Sequence, residues 1–312
     1  MIYMVRLPML NLGNIRQKKW GIILKVSLNL SILIIIILVL LKKKNELYLP
    51  FNIYFLFIIL YEFFILFLIS LRILSLSHAL NQKISLKDIY LITITTKFYN
   101  IFFPSLLTEA IRGIKYNLAG ISDRYNILFL VIFDRIVGFI TFFIIFLLSA
   151  FSLKIFRIDK TTLLLSLALL LFFIIVLFNI TKIRYIFNHK PFNKHLSKKA
   201  LFSTLVISLM AQMAIMFKYF YIFQMIIHIN LDLIHTIYIC SASHLSQIIP
   251  FSAGLFSIKD GFLFFIITTG QGEYIKALNL ILILGSIEIL TGIAGGLLES
   301  IGLMKKTLSR HR

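Results

Sequence analysis

Apolar residues in this chain run continuously for roughly 20 positions at a time, separated by short polar segments, with no two-residue alternation. That length matches a hydrocarbon core of about 30 Å at 1.5 Å per helical residue. Inside lipid, backbone N–H and C=O groups must be satisfied within the segment or in a closed barrel, and continuous runs select helices. The pattern predicts six full spans, near residues 21–41, 51–71, 126–150, 161–180, 200–227 and 275–298.

Two further apolar segments are interrupted. The first, 89–103, carries Lys97, Tyr99 and Asn100, stops at Pro104 and resumes as a short helix over 105–116 with Glu109 and Arg112. Proline cannot donate to a helix ladder and disfavours helix in the residue before it. The segment reads as a broken or re-entrant helix pair, or else as one span followed by a surface amphipathic helix. The second, 233–249, carries His235, Ser241, Ser243, His244 and Gln247. It stops at Pro250, passes the Phe251-Ser252-Ala253-Gly254 breaker, and resumes at Lys259-Asp260-Gly261 in a short helix ending at Gly270. The expected architecture is an all-α, polytopic membrane bundle of six spans and two interrupted hairpins. It forms one transmembrane domain over 1–312 with no soluble domain, and its halves, 1–150 and 151–312, echo one another as inverted repeats do.

Lys and Arg number four in the head (Arg6, Arg16, Lys18, Lys19), six in the connector 181–199 and four in the tail. The opposite side receives three at Lys42–Lys44, three at Lys154, Arg157 and Lys160, and one at Lys276. This bias places both termini in the cytoplasm of a multi-pass protein of the plasma or inner membrane, with the Lys42 cluster opposing it. The first apolar run lacks a small-residue cleavage site and reads as a retained span.

Composition agrees. The chain is 60% hydrophobic and 14% charged, against about half and about a quarter in a soluble domain. The net charge of +20 sits mostly between the apolar runs, where it suits anionic lipid headgroups rather than nucleic acid. The single cysteine, Cys240, forms no intrachain disulfide, and His235 and His244 lie off the i,i+4 spacing of a helical metal site. No metal or other cofactor is expected. No nucleophile elbow, phosphate-binding loop or dinucleotide-binding glycine motif occurs.

Charges inside spans cost about 2.5–3.5 kcal/mol each on insertion scales, so they face a partner or a wet cavity. Asp134 and Arg135 are adjacent, about 100° apart around a helix, and cannot both point one way. Arg112 or Lys259 is the expected partner of Asp134, and Glu109 or Glu62 that of Arg135, either as structural ion pairs or as the lining of a polar cavity. Arg112 and Lys259 follow the breaks, where free N–H groups and a positive helix end suit a phosphate. Snorkelling to the interface is the other reading of both. Glu62, Lys97 and Glu288 are secondary candidates. Lys218, among Phe217, Tyr219, Phe220 and Tyr221, reads as an interface anchor.

Three stretches carry a resemblance: Pro104…Glu109-Ala110-Ile111-Arg112, Asp134-Arg135-Ile136-Val137-Gly138, and Pro250-Phe-Ser-Ala-Gly254 followed by Lys259-Asp260-Gly261. In order and spacing, over nearly the whole chain, the sequence resembles the lysylphosphatidylglycerol synthetase transmembrane-region family. That family shows a proline, glycines, an acid and an arginine, then Asp-Arg-x-x-Gly, then a proline and glycine-rich turn followed by Arg-Glu. Here Ser105, Leu106 and Leu107 replace the first glycines, and Lys259-Asp260 replaces Arg-Glu. These swaps keep charge and change reach and backbone freedom. The resemblance implies a flippase-like domain that moves or binds lipids. The aminoacyl-transferring domain of some relatives is not found in the sequence, so lysyl transfer by this chain alone is not expected.

The resulting expectation is a lipid translocase or lipid-binding protein rather than an enzyme. A phospholipid or polyprenyl-phosphate headgroup would be held by Arg112, Arg135 and Lys259 in a cavity between the breaks, with Glu109, Asp134 and Asp260 orienting the cations or meeting a cationic headgroup. A membrane transferase using a lipid-linked donor and an accessory subunit of envelope lipid synthesis are the alternatives.

Overall fold

Apolar runs without strand alternation fold as helices throughout the described part of the protein. A computed structural model describes residues 53–80, 82–121, 123–153, 198–246, 258–271 and 274–310. All fall within Tyr48–Arg312, one of two units into which the chain divides, the other being Met1–Leu47. In order the elements are α1 (Ile53–Ala79), α2 (Leu86–Phe102), α3 (Ser105–Leu118), α4 (Arg124–Ser152), α5 (Lys198–Tyr221), a π-helical turn (Ile222–Ile227), α6 (Leu233–Leu245), α7 (Ile258–Gln271) and α8 (Tyr274–Arg310). No strand occurs among the described residues. Among the described residues, four segments are long and apolar enough to cross a membrane: Ile53–Ala79, Tyr125–Ser152, Lys199–Ile227 and Tyr274–Ile301. They coincide with the expected spans at 51–71, 126–150, 200–227 and 275–298, the first continuing eight residues further. The expected spans at 21–41 and 161–180, and the break residues Pro250 and Gly254, lie outside the described residues.

Local chemistry sets the helix ends. Ser85 accepts from the Asp88 backbone N–H at 3.1 Å and donates to the Asp88 carboxylate at 2.6 Å, capping α2. Asp123 caps α4 and Asp232 caps α6. The backbone N–H and ring of His235 hold the Asp232 carboxyl below its usual range. Between α2 and α3, Phe103 is extended (φ −115°, ψ 147°), as a residue before proline must be. Pro104 then caps α3, where its missing N–H costs nothing. The π-helical turn ends at His228, which takes a left-handed conformation (φ 55°), while the Ile229 N–H closes back on the Phe223 carbonyl at 2.8 Å.

The distribution of side chains is inverted relative to a water-soluble fold. On α1, Ile53, Leu56, Phe57, Leu60 and Phe64 are exposed, while Glu62, Ser70, Arg72 and Ser77 are buried. On α3, Thr108, Arg112 and Tyr116 face inward while Leu106, Leu107, Ile114 and Leu118 face outward. A surface amphipathic helix would turn its polar face to water; α3 packs that face against the bundle. Four buried hydroxyls, those of Ser70, Thr93, Thr141 and Thr204, donate to the carbonyls four residues earlier in their own helices at 2.7–3.0 Å. The solvent for the exterior is hydrocarbon, and the protein is a membrane-embedded helix bundle.

Two helix pairs position the polar side chains. α5 runs antiparallel to α1, with contacts from Ser75–Thr204 through Arg72–Ser208 and Glu62–Lys218 to Phe57–Tyr221. Between the polar contacts lies an apolar layer of Ile65, Leu68, Ala211 and Ala214. The other pair, α2 and α8, meets at glycines. A Cβ on Gly292 would strike the Ile101 side chain, one on Gly295 the Ile94 carbonyl, and one on Gly296 the Phe98 ring at 2.7 Å. Small residues four apart let backbones touch where no hydrophobic effect drives helices together.

This contact is tested by Gly295→Ala, whose methyl would meet backbone that cannot swing aside. It should cost about 1–3 kcal/mol of stability, as overpacking does. Gly261→Ala, with nothing within 4 Å of its new methyl, should leave the unfolding temperature in detergent unchanged or slightly higher. Equal melting of the two variants would show that α2 and α8 are not in this register.

Candidate functional site

The adjacent pair on α4 divides as helix geometry requires. Asp134 points into the bundle, and Arg135 lies toward the outside with 43% of its side chain accessible. Asp134 receives two cations. Arg72 of α1 approaches through Nε at 2.8 Å and Nη2 at 2.7 Å, and Arg112 of α3 through Nη2 at 3.4 Å. Glu109, one turn before Arg112, joins it at 2.6 Å through Oε2 and joins Arg135 at 3.0 Å through Oε1. The result is a continuous chain, Arg72–Asp134–Arg112–Glu109–Arg135, drawn from α1, α3 and α4. Of its five members, three are guanidiniums and two are carboxylates, which leaves a formal excess of one positive charge.

Gly138 gives this group its room. One turn beyond Asp134, a Cβ there would lie 3.3 Å from Arg72 Nη1 and 3.6 Å from Gln212 Nε2. Arg72 also donates to Ser208 at 3.2 Å, and Ser208 shares a 2.9 Å hydrogen bond with Thr141. Arg72 was not expected here. The apolar run had been bounded at Leu71, and helix α1 carries on because Ile73, Leu74 and Leu76 extend its apolar pattern. A span allowed to run on to Ala79 would have placed an arginine at depth.

A second group surrounds the earlier part of α1. Glu62 is held by Lys218 of α5 at 2.8 Å and Lys97 of α2 at 3.3 Å. Lys259 of α7 stands 3.6 Å from Asp260 and 3.9 Å from Glu288 of α8. Lys97 lies within electrostatic reach of both Glu288 and Lys259. Three cations and three carboxylates meet here, a formally neutral set. Glu62 and Arg72 are ten residues apart on α1, about 15 Å along the axis at 1.5 Å per residue. The two groups therefore lie at different depths, separated by the Ile65–Leu68–Ala211–Ala214 layer.

The expected partners sort accordingly. Arg112 serves Asp134 and Glu109 serves Arg135; Lys259 and Glu62 belong to the second group. Four of the six expected headgroup contacts (Arg112, Arg135, Glu109 and Asp134) come together, and Lys259 and Asp260 stand with Glu62, Lys97 and Glu288. Lys218, read as an interface anchor, is instead a part-buried counterion of Glu62, because antiparallel packing of α5 on α1 brings it there. A third tie holds α3 to α8: Lys115 pairs with Glu299 at 2.9 Å, donates to Thr95 at 2.8 Å and lies over the Tyr99 ring, whose hydroxyl donates to Glu299 at 3.0 Å.

Removing the carboxylate of Asp134 leaves the buried Arg72 guanidinium without a counterion, while Arg112 keeps Glu109. Asp134→Ala should cost about 3–5 kcal/mol, while replacing the buried pair together by apolar residues, Arg72→Met with Asp134→Leu, should recover most of that loss. Equilibrium unfolding in detergent measures both, and a double variant no more stable than Asp134→Ala would show that the pair is not the main contact. No family model, no curated protein and no solved structure matches this chain.

Proposed function

We propose that this membrane protein binds the phosphate-bearing headgroup of a membrane lipid at the Arg72–Asp134–Arg112–Glu109–Arg135 group and moves it between leaflets. The observation that carries the reading is the uncompensated positive charge of that group at bilayer depth, with Arg135 accessible at its edge. An ionic cluster with one cation too many is costly in hydrocarbon and is relieved by one anionic ligand. Guanidiniums suit this role because they present paired donors to phosphate oxygens. The motif resemblance to the lysylphosphatidylglycerol synthetase transmembrane-region family points the same way. In this reading the chain has six spans, with the broken pairs α2–α3 and α6–α7 entering from opposite faces as inverted repeats. The headgroup travels between the arginine group and the neutral Lys259 group, and the apolar layer between them is the barrier that opens.

The test is lipid movement in vesicles. Reconstituted wild-type protein should expose fluorescent phosphatidylglycerol of the inner leaflet to an external quencher. Arg112→Gln and Arg135→Gln should slow that movement at least about tenfold, the scale of lost charge-assisted hydrogen bonds. Wild-type protein that moves no lipid, or variants that match its rate, removes the reading.

A further inference from the structure

Glu288 sits at the middle of the Tyr274–Ile301 span, and 36% of its side chain is accessible. Among the described residues its one ion-pair partner is Lys259 at 3.9 Å, beyond hydrogen-bond reach. Glu62, by contrast, is held by two ammonium groups, Lys218 at 2.8 Å and Lys97 at 3.3 Å. The formally neutral second group is therefore unevenly divided. Around Glu62 there is one cation in excess. Around Lys259, which Asp260 at 3.6 Å shares with Glu288, there is one anion in excess. Helix α8 packs on α1, α2, α7 and the π-helical turn. From these, Glu288 meets Lys259 and Asp260 of α7, Lys97 of α2 and, beyond Lys97, Glu62 of α1; the turn Ile222–Ile227 holds no titratable side chain. Behind Lys259 stand Tyr219 of α5, which hydrogen-bonds it, and Cys240 of α6.

A weakly held carboxylate in a locally anionic set is costly at bilayer depth, and one added cation removes that cost. A metal ion does not suit the place. The Lys259 ammonium already stands against both carboxylates and would repel it, whereas a proton needs one oxygen and no shell of ligands. We propose that Glu288 is a proton-binding site and that Lys97 follows its charge, pairing with Glu62 while Glu288 is protonated and with Glu288 once the proton has left. The proton comes from water on one side of the membrane, forms an O–H bond on the carboxylate and returns to water. The observed pairing, with Lys97 on Glu62 and Glu288 weakly held, is that of the protonated form. Lys97 is free to exchange because Lys218 stays on Glu62 at the shorter distance. Its side chain is also 23% accessible and ends a flexible four-carbon stem. It lies within electrostatic reach of Glu62 and Glu288 alike. With the proton gone, Lys97 on Glu288 leaves Lys218 to Glu62 and Lys259 to Asp260, so each carboxylate has a cation. The proposal goes beyond the headgroup reading and does not require it.

The experiment is infrared difference spectroscopy of the full chain in lipid nanodiscs across a pH series, reading the C=O band of a protonated carboxyl. Wild-type protein should show a band that fades as pH rises, and Glu288→Gln should lose that band. Glu288→Asp, which keeps the acid, should shift its frequency. Lys97→Met removes the cation that stabilises the ionised form, so the band should persist to higher pH by about 1–3 units, the usual effect of losing a nearby opposite charge. Spectra in sodium and potassium buffers should coincide. A wild-type spectrum matched by Glu288→Gln overturns the proposal; should that variant not fold, a wild-type spectrum matched by Glu288→Asp does the same. A Lys97→Met titration identical to that of wild-type protein overturns the exchange of Lys97. A band that responds to sodium at fixed pH overturns the proton as the ligand. No lipid movement is read, so the headgroup reading stands or falls separately.

Discussion

An ionised side chain at bilayer depth has to find its counterion inside the protein, and in this bundle that requirement falls on α1. Through Arg72 it reaches Asp134 of α4 and Ser208 of α5. Through Glu62 it reaches Lys97 of α2 and Lys218 of α5. Residues of α1 also enter each of the three apolar clusters among the described residues. Lipid is as apolar as leucine, so burial alone does not tell one helix arrangement from another. Charge pairing does, because a slip of α1 against α5 would separate Glu62 from Lys218 and Arg72 from Ser208 at once.

Close packing supplies the rest of the specificity. Gly292, Gly295 and Gly296 allow α8 to lie against the backbone of α2, and Gly138 opens space for the Arg72 guanidinium. In both places a missing Cβ is used to admit something large: a neighbouring helix in one, a cation in the other. The tie of Lys115 to Glu299 then fixes α3, the helix that follows the Pro104 break, against α8. Glu109 and Arg112 are thus held by a short helix anchored by Asp134 near its middle and by Glu299 near its last turn.

Much of the site was legible along the chain where its members are near in sequence. Pro104 announced the break, and the Asp134-Arg135 pair announced that two different partners were needed. Glu109 and Arg112, one turn apart on a helix too short to span, were natural partners for them. Arg72 was not legible, because hydropathy marks where a run weakens and α1 continues past that point for another two turns. Lys218 was misread for a related reason. An aromatic neighbourhood is common to interface anchors and to buried sites, and only the register of α5 against α1 distinguishes them.

The sequence by itself determined that the chain is a membrane helix bundle, where its long helices run and where one of them breaks. Those properties follow from a constraint that acts locally, the need to satisfy every backbone group across a fixed apolar thickness. The tertiary structure decided which charges meet. Arg72 and Asp134 are 62 positions apart and Glu62 and Lys218 are 156 apart, so their pairing depends on how distant helices are placed side by side. It also split the expected single chamber into a cationic group and a neutral one, because Glu62 and Arg72 stand at different heights on one rigid helix.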